Sequence, residues 1–260
     1  MQLSMHGRIA VVTGASKGLG NAMAAAFASA GASVALVARG KDDLTAAANS
    51  ITAKAGAKTL AVAGDVSNAD DCKRIIAEVE AGLGPVDVLV NNAGSSARGV
   101  FEEITDEQWQ ADLDLKLFGA IRLTRLVFPG MKARRFGRII NVLNTGAKAP
   151  PAQGAPTAVS RAAGMALTKV LANEGAPHNV LVNGLMVGKI ESDQWVRRHA
   201  NEDRGESLDD YYVRQGAALP MGRYGTAEEF AAAACFLVSD AGSYINGTAI
   251  NVDGGLCPVV

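Results

Sequence analysis

No tyrosine occurs before Tyr211, and cysteine occurs only at Cys72, Cys235 and Cys257. The cysteines have no paired spacing. They form neither a disulfide framework nor a thiolate metal signature, and a reducing compartment is expected. His6, His178 and His199 are scattered without ligand spacing and read as surface residues, so no metal is expected. Aromatic content is 5 %, and no basic cluster is interleaved with aromatics. Net charge is −1 with acids and bases interspersed, which excludes the basic face that nucleic-acid binding needs. No apolar run reaches the ~20 residues of a membrane span, because Gly31 and Ser33 break the stretch from Ala22 to Ala38. The opening MQLSMHGRIAVVTG is too short and polar for a signal peptide. The expectation is a soluble, cytoplasmic protein with a small-molecule partner, no nucleic acid and no membrane.

What is present suits a packed domain. Hydrophobic residues make up 48 % and charged residues 20 % of 260 residues, enough for a sizeable core and against disorder. Ile9–Val12 is an apolar run ending in TGASKGLG, with Gly14, Gly18 and Gly20 opening an Ala-rich helix. A strand, a glycine turn and a helix make a phosphate site, since glycines admit the backbone to a pyrophosphate and free N–H groups at the helix start bind its charge. An ordinary strand-to-helix turn reads the same way. Ser33–Ala38 is the second strand. An acid at its end would bind a ribose 2′-hydroxyl, but Ala38 and Arg39 stand there, with Lys17 in the glycine turn. Two cations and no acid favour NADP(H) over NAD(H); the alternative is a pair of solvated surface charges.

The alternation continues. A helix spans Asp42–Ala55, and Thr59–Ala63 is the third strand. Ser67 with Asp70 reads as a capping box for a helix carrying Ile75, Ile76 and Val79. Val86–Val90 is the fourth strand and ends in NNAG at 91–94, a ligand crevice or a plain polar turn. Thr105 with Gln108 caps a long helical region reaching about Arg134. Strands follow at Arg138–Leu143, Asn179–Asn183 and Thr248–Val252, and Thr226 with Glu229 caps a helix through Leu237. The connection from Gly188 to Leu219 is long and charged, a lid or a solvated helical excursion. Its Trp195, Tyr211 and Tyr212 could line a substrate pocket or simply seal it. Its Lys189, Arg197 and Arg198 could meet an anionic substrate, offset by Glu191, Asp193, Glu202 and Asp203. With no Pro-, Gly- or Ser-rich linker, residues 1–260 read as a single α/β domain: a doubly wound, about seven-stranded parallel sheet with helices on both faces and a lid at about 188–219.

In order and spacing, TGASKGLG, Asp65-Val66, NNAG, GRIINV at 137–142, the helix at 157–174, VNGLMVGKI at 182–190 and GRYGTAEEF through INGTAINVDGG resemble the classical short-chain dehydrogenase/reductase family from end to end. The resemblance implies a Rossmann-type fold, a nicotinamide cofactor and a homotetramer (or homodimer) built on the helices near 110–134 and 157–174. It assigns the cofactor turn to Gly14, Ser16, Lys17, Gly18, Leu19 and Gly20, with Arg39 as a second NADP-type cation. It assigns the adenine contacts to Asp65 and Val66. Asn91, Ala93 and Gly94 fall beside the ribose, and Gly188, Ile190 and Ser192 beside the nicotinamide and phosphates. Val187 stands where the family usually has Pro.

The family's reaction uses an Asn, a Ser and a Tyr-x-x-x-Lys pair. Aligned by neighbouring motifs, these positions hold Lys116, Asn144, Thr157 and Arg161, and the missing tyrosine rules out a shifted register. A Thr hydroxyl is a poor acid, and Arg keeps its proton. Lys116, if desolvated beside Arg161, is a possible general acid; otherwise it is a helix lysine reaching solvent. Two readings follow. One is an NADP(H)-dependent oxidoreductase of a carbonyl or alcohol through a non-standard site. There Lys116 gives the proton, Asn144 and Thr157 orient the oxygen, and Arg161 holds the ribose or an anionic substrate. The other is an NADP(H)-binding pseudoenzyme with a structural or regulatory role. The balance leans to the first.

Overall fold

The structure, a computed structural model, describes residues 3–202 and 204–260. Seven parallel strands lie in the order β3-β2-β1-β4-β5-β6-β7. They are β1 (Ile9–Thr13), β2 (Ser33–Ala38), β3 (Thr59–Ala63), β4 (Val88–Asn91), β5 (Gly137–Asn144), β6 (Val180–Val187) and β7 (Ala249–Val252). Helices run between them: α1 (Gly18–Ser29), α2 (Lys41–Ala55), α3 (Ala69–Gly82), α4 (Asp106–Leu113), α5 (Gly119–Arg134), α6 (Thr157–Gly175), α7 (Asp193–Glu202), α8 (Leu208–Gly216) and α9 (Ala227–Val238).

The near-continuous apolar runs of the central strands follow from burial on both faces. Successive residues point to opposite sides. Val12, Leu36, Val90 and Ile140 join the core under α1, α2 and α9 with Phe27, Leu44 and Phe230. Their neighbours Val11, Val37, Leu89 and Ile139 join the core under α3 and α5 with Ile75, Leu123 and Met131. Among the described residues no helix is long and apolar enough to cross a membrane.

Beyond shifts of one or two residues at the ends of β1, β4, β5 and β7, three features differ from the sequence reading. The sixth strand runs on to Val187, because β6 pairs with β5 over its whole length, from Gly137↔Val180 to Asn144↔Val187. The helix after Thr105 is interrupted: residues Asp114–Phe118 form a π-turn between α4 and α5. The wider turn brings Gly119 against Val66, where a Cβ would lie 3.1 Å from the Val66 carbonyl oxygen. Such π-bulges are rare and concentrate at functional sites. The third difference is the cap of α3. Asn68, not Ser67, accepts hydrogen bonds from Asp70 N–H at 2.8 Å and Asp71 N–H at 3.1 Å. Ser67 is diverted, its backbone N–H and hydroxyl both bonding to Asp65 Oδ1. The capping boxes at Thr105/Gln108 and Thr226/Glu229 form as read.

The cap assignment has a measurable consequence. Asn68→Ala should lower unfolding free energy by about 1 kcal/mol, while Ser67→Ala should cost less, compared through urea midpoints at equal slope.

Candidate active site

The strand order reverses between β1 and β4, and the carboxyl ends of strands open a crevice at such a point. On its β1 side lies the glycine turn. Gly14 and Gly18 have φ of 65° and 55°, in the left-handed region that side chains resist. A Cβ on Gly20 would run into the Gly14 carbonyl oxygen. Helix α1 starts at Lys17 without a side-chain cap, so its first N–H groups remain available to an anion. This donor set and the bare glycine backbone fit a pyrophosphate.

The turn is stapled to β4 by residues the sequence reading passed over. Thr13 Oγ1 donates to Val90 O at 3.1 Å and accepts from Asn92 N–H at 2.9 Å and Ala93 N–H at 3.0 Å. The Asn92 amide returns the bond, donating to Thr13 O at 2.8 Å and Gly14 O at 3.3 Å. Asn91 points elsewhere. Its amide donates to Asn141 Oδ1 at 2.9 Å, and Asn141 donates to Thr168 Oγ1 at 2.9 Å, tying β4 and β5 to α6. Asn91 Oδ1 is buried without a partner among the described residues. A cavity of about 10 Å³, of one-water size, is walled by Asn91, Ala93, Thr13 and Lys116 among others.

After β3, Val66 is buried and half-buried Asp65 holds Ser67. Lys17 is not a free cation. It pairs with Asp43 of α2 at 2.9 Å, and both side chains stay more than half exposed. Exposed Arg39 has no ion-pair partner among the described residues. Ser16 and Leu19 are half-buried within the turn. Ser192, at the start of the lid, lies against Gly18, with its Cβ 3.7 Å from where a Gly18 Cβ would stand. Gly188 is packed against Asp253 where any Cβ would collide, and Ile190 is buried and bridges Gly225.

Across the crevice Lys116, Thr157 and Arg161 gather around a residue that was not selected, Asp112 of α4. Lys116, on the π-turn one helical turn later, forms an ion pair with Asp112 Oδ1. Ser160 Oγ donates to Asp112 Oδ2 at 2.6 Å. Lys116 Nζ also donates to Thr157 Oγ1 at 2.7 Å, and Thr157 Oγ1 donates to Ala97 O at 2.7 Å while accepting from Ala97 N–H at 2.9 Å. The Lys116 and Asp112 side chains are 1 % and 2 % exposed, so this lysine does not reach solvent. Burial holds its pKa below the usual lysine value against the Asp112 hydrogen bond and charge, and the like charge of Arg161 lowers it further.

Arg161 shares the α6 face of Thr157. Its Nη1 donates to Val142 O at 2.6 Å, and its Nη2 occupies the space that a Cβ on Gly94 would need. Gly94 therefore has to be glycine for Arg161 to sit beside the NNAG segment. Burial pushes Arg161 down to about 10, partly offset by Asp112, which leaves it cationic at neutral pH. Asn144 ends β5 with its Oδ1 buried and unpartnered among the described residues. The signals for the missed residues were short-range: Asp112 and Ser160 lie four before Lys116 and three after Thr157, the spacings that share a helix face.

The connection at 188–219 folds as α7 and α8 around its own aromatic cluster. Trp195, Tyr211 and Tyr224 are buried and Tyr212 packs on them, with Trp195–Tyr224 centroids at 5.4 Å and Tyr212–Tyr224 at 5.1 Å. His199 is not a surface residue; half-buried, it bonds Glu206 O at 2.8 Å and stacks on Tyr211. Asp203 lies outside the described residues.

Residues 8–203 match the family described as short chain dehydrogenase. An acetoacetyl-CoA reductase of Shinella zoogloeoides is 36 % identical over 248 residues, covering 95 % of this chain and 98 % of that protein. L-sorbose reductase of Gluconobacter frateurii, solved with NADPH and L-sorbose, is 35 % identical and superposes with a TM-score of 0.95 over 100 % of both chains. A short chain oxidoreductase of Pseudomonas aeruginosa PAO1, solved with NADPH and described as containing an atypical catalytic center, is 34 % identical with a TM-score of 0.91 over 99 % of each chain. Sequence and fold agree along the full length, and the chain belongs to the short-chain dehydrogenase/reductase family.

Proposed function

We propose that the protein is an NADP(H)-dependent oxidoreductase that interconverts a carbonyl and an alcohol, with Lys116 in place of the family's usual proton donor. The observation that carries this is the buried Lys116 ammonium, held between Asp112 and Thr157, with its pKa lowered toward the range where a lysine exchanges protons. Both solved relatives above are NADPH complexes, and one of them has an atypical catalytic center. The bound cofactor supplies or takes the hydride.

The chain's own residues handle the proton and the orientation. The Thr157 hydroxyl stands between Lys116 and the cleft-side loop, accepting from Lys116 and donating to Ala97 O. A substrate oxygen that takes the place of the Ala97 carbonyl receives the Thr157 proton as Lys116 replaces it. A Thr hydroxyl alone is too weak an acid for this, so the relay needs Lys116 behind it. Asp112 is the counter-ion that keeps Lys116 protonated between turnovers, and Ser160 positions Asp112. Asn144, with an unpartnered buried amide oxygen, orients the substrate, and Arg161 holds the cofactor ribose beside Gly94. Lys17 and Arg39 take the 2′-phosphate, Lys17 leaving Asp43 to do so. A surface pair such as Lys17–Asp43 is weak enough to exchange. The assembly is a homotetramer or homodimer through α5 and α6, supported by an open, mostly apolar hollow between them lined by Ile121, Phe128, Pro129, Leu167 and Leu171, with Arg125 and Glu174 among its walls.

Lys116→Met should keep NADPH affinity by calorimetry and lower kcat by about 10²–10⁴-fold in a screen of ketones and alcohols. Thr157→Val should do the same and Thr157→Ser should recover most of the rate. Tight NADPH binding without turnover of any substrate by the wild type would overturn the reading in favour of a binding protein. The pH dependence has a definite sign. Carbonyl reduction needs protonated Lys116, so kcat falls as pH rises through its lowered pKa, and alcohol oxidation rises over the same range. Asp112→Asn removes the negative charge that raises that pKa and leaves only a neutral acceptor, so the inflection should move to lower pH.

The cofactor preference yields a separate outcome. Lys17→Ala and Arg39→Ala should each weaken NADPH by about tenfold, one charge-assisted bond, and leave NADH nearly unchanged. Asp43→Asn frees Lys17 and should tighten NADPH relative to NADH in the same titration.

A further inference from the structure

The lid carries a set of cations whose charges are unevenly matched. Most are paired: Arg197 with Asp193 at 3.3 Å, Arg214 with Glu206 at 2.5 Å, and Arg223, just beyond the lid, with Glu229 at 2.7 Å. Arg198 reaches Glu202 only at 4.0 Å, and that carboxylate is shared with Arg204 and Arg214 at 3.5 Å each. Half-buried Lys189 has no carboxylate in ion-pair range among the described residues. Its Nζ lies instead 4.0 Å from the centroid of the Trp195 ring, and the Arg198 guanidinium lies 5.5 Å from the same ring. Of the acids nearby, Asp193 and Glu202 are in ion pairs, and Glu191 is in none among the described residues, its charge acting on Arg223 and Tyr212.

The position of Lys189 ties it to the reacting end of the fold. It stands two residues after Val187, which pairs in register with Asn144 at the carboxyl end of the sheet. Exposed Arg98 is likewise without an ion-pair partner among the described residues. Its backbone bridges Pro156, the residue before Thr157, and its neighbour Ala97 is the hydrogen-bond partner of the Thr157 hydroxyl. Burial, then the charges of Arg198 and Arg98, push the Lys189 pKa down, so each arginine lies within electrostatic reach of Lys189. Lys189 and Arg198 at one aromatic ring, with the charge of Arg98 bearing on the half-buried Lys189, are unfavourable until an anion joins them.

We propose that the substrate carries an anionic group, a carboxylate or a phosphate, clamped between Lys189 and Arg98 against Trp195, with Arg198 closing over it from the lid. This rests on the oxidoreductase reading, since it names the substrate class of that same crevice. Lys189 and Arg98 are specificity residues here, and the cation–π contact with Trp195 holds the Lys189 head in place before the anion arrives.

Trp195 gives a readout that is independent of turnover. The chain has two tryptophans, so Trp109→Phe leaves Trp195 as the sole indole emitter. In that background, titration with succinate and with inorganic phosphate at constant ionic strength should change the emission saturably. A response to succinate alone assigns a carboxylate, and a response to phosphate alone assigns a phosphate. Lys189→Met and Arg98→Met, which keep the apolar stems, should each weaken the response by about tenfold or more. An absent response, or the same titration in Lys189→Met, overturns the proposal.

The second arm compares acetoacetate with its methyl ester as substrates with NADPH. The anion should be preferred by about tenfold or more in kcat/KM, with the preference residing in KM and erased in Lys189→Met. Turnover that ignores the carboxylate charge and the Lys189 substitution overturns the clamp while keeping the oxidoreductase. Saturable anion binding with no ketone turned over removes the oxidoreductase and keeps the anion site.

Discussion

The buried carboxylate of Asp112 is the contact on which the cluster between α4, the π-turn and α6 depends. It joins α4, the π-turn and α6 through Lys116 and Ser160, and its charge bears on Arg161. Removing one partner of a buried pair leaves an uncompensated ion at a cost of about 3–5 kcal/mol. Lys116 and Asp112 therefore fix each other, and through Thr157 they fix where α6 begins relative to the loop at Ala97. The π-turn belongs to the same constraint. One wider turn puts Lys116 inward under α6 and still lets Gly119 close against Val66.

The cofactor half rests on a different kind of constraint. Its features are backbone ones: left-handed glycines, a helix start without a side-chain cap, and a glycine at 94 that makes room for Arg161. Such features leave plain marks in a sequence, because only glycine can fill them. This is why the phosphate turn, NNAG and the strand order were legible from the residues, and why the buried parallel strands were found almost to the residue at β2 and β3. The Asn92–Thr13 staple was less legible. An amide beside a turn reads the same whether it binds a ligand or braces the backbone.

The reacting half was legible only in part, for physical reasons that differ residue by residue. Lys116, Thr157 and Arg161 could be selected by position, but Asp112 reads as one more helix acid until burial is known. Its spacing to Lys116 was visible, yet hydrophobic periodicity cannot show a π-turn, which changes the phase that periodicity depends on. Lys17 was read as free because Asp43 lies in the next helix, and only the fold brings the two together. Ser67 and Asn68 are adjacent and equally able to cap, and Asp65 decided between them by engaging Ser67 first. The lid aromatics turned out to pack on each other and on Tyr224, a partner outside the stretch in which they were read.

Charge counting links the two halves. If Asp112, Lys116 and Arg161 are all ionised, the site beneath α6 carries one surplus positive charge in a poorly solvated place. Arg161 keeps its proton at neutral pH even with its pKa brought down to about 10, and burial with the Arg161 charge lowers the pKa of Lys116 as well. A lysine in that position is driven toward release by its surroundings and toward retention by Asp112, which is the balance a reversible proton donor needs. The surplus at Lys189 and Arg98 has no carboxylate partner of its own among the described residues. In the proposed reading, one end of the crevice would relieve its excess charge by moving a proton, and the other by taking up an anion. A substrate with a carbonyl at one end and a negative group at the other satisfies both at once.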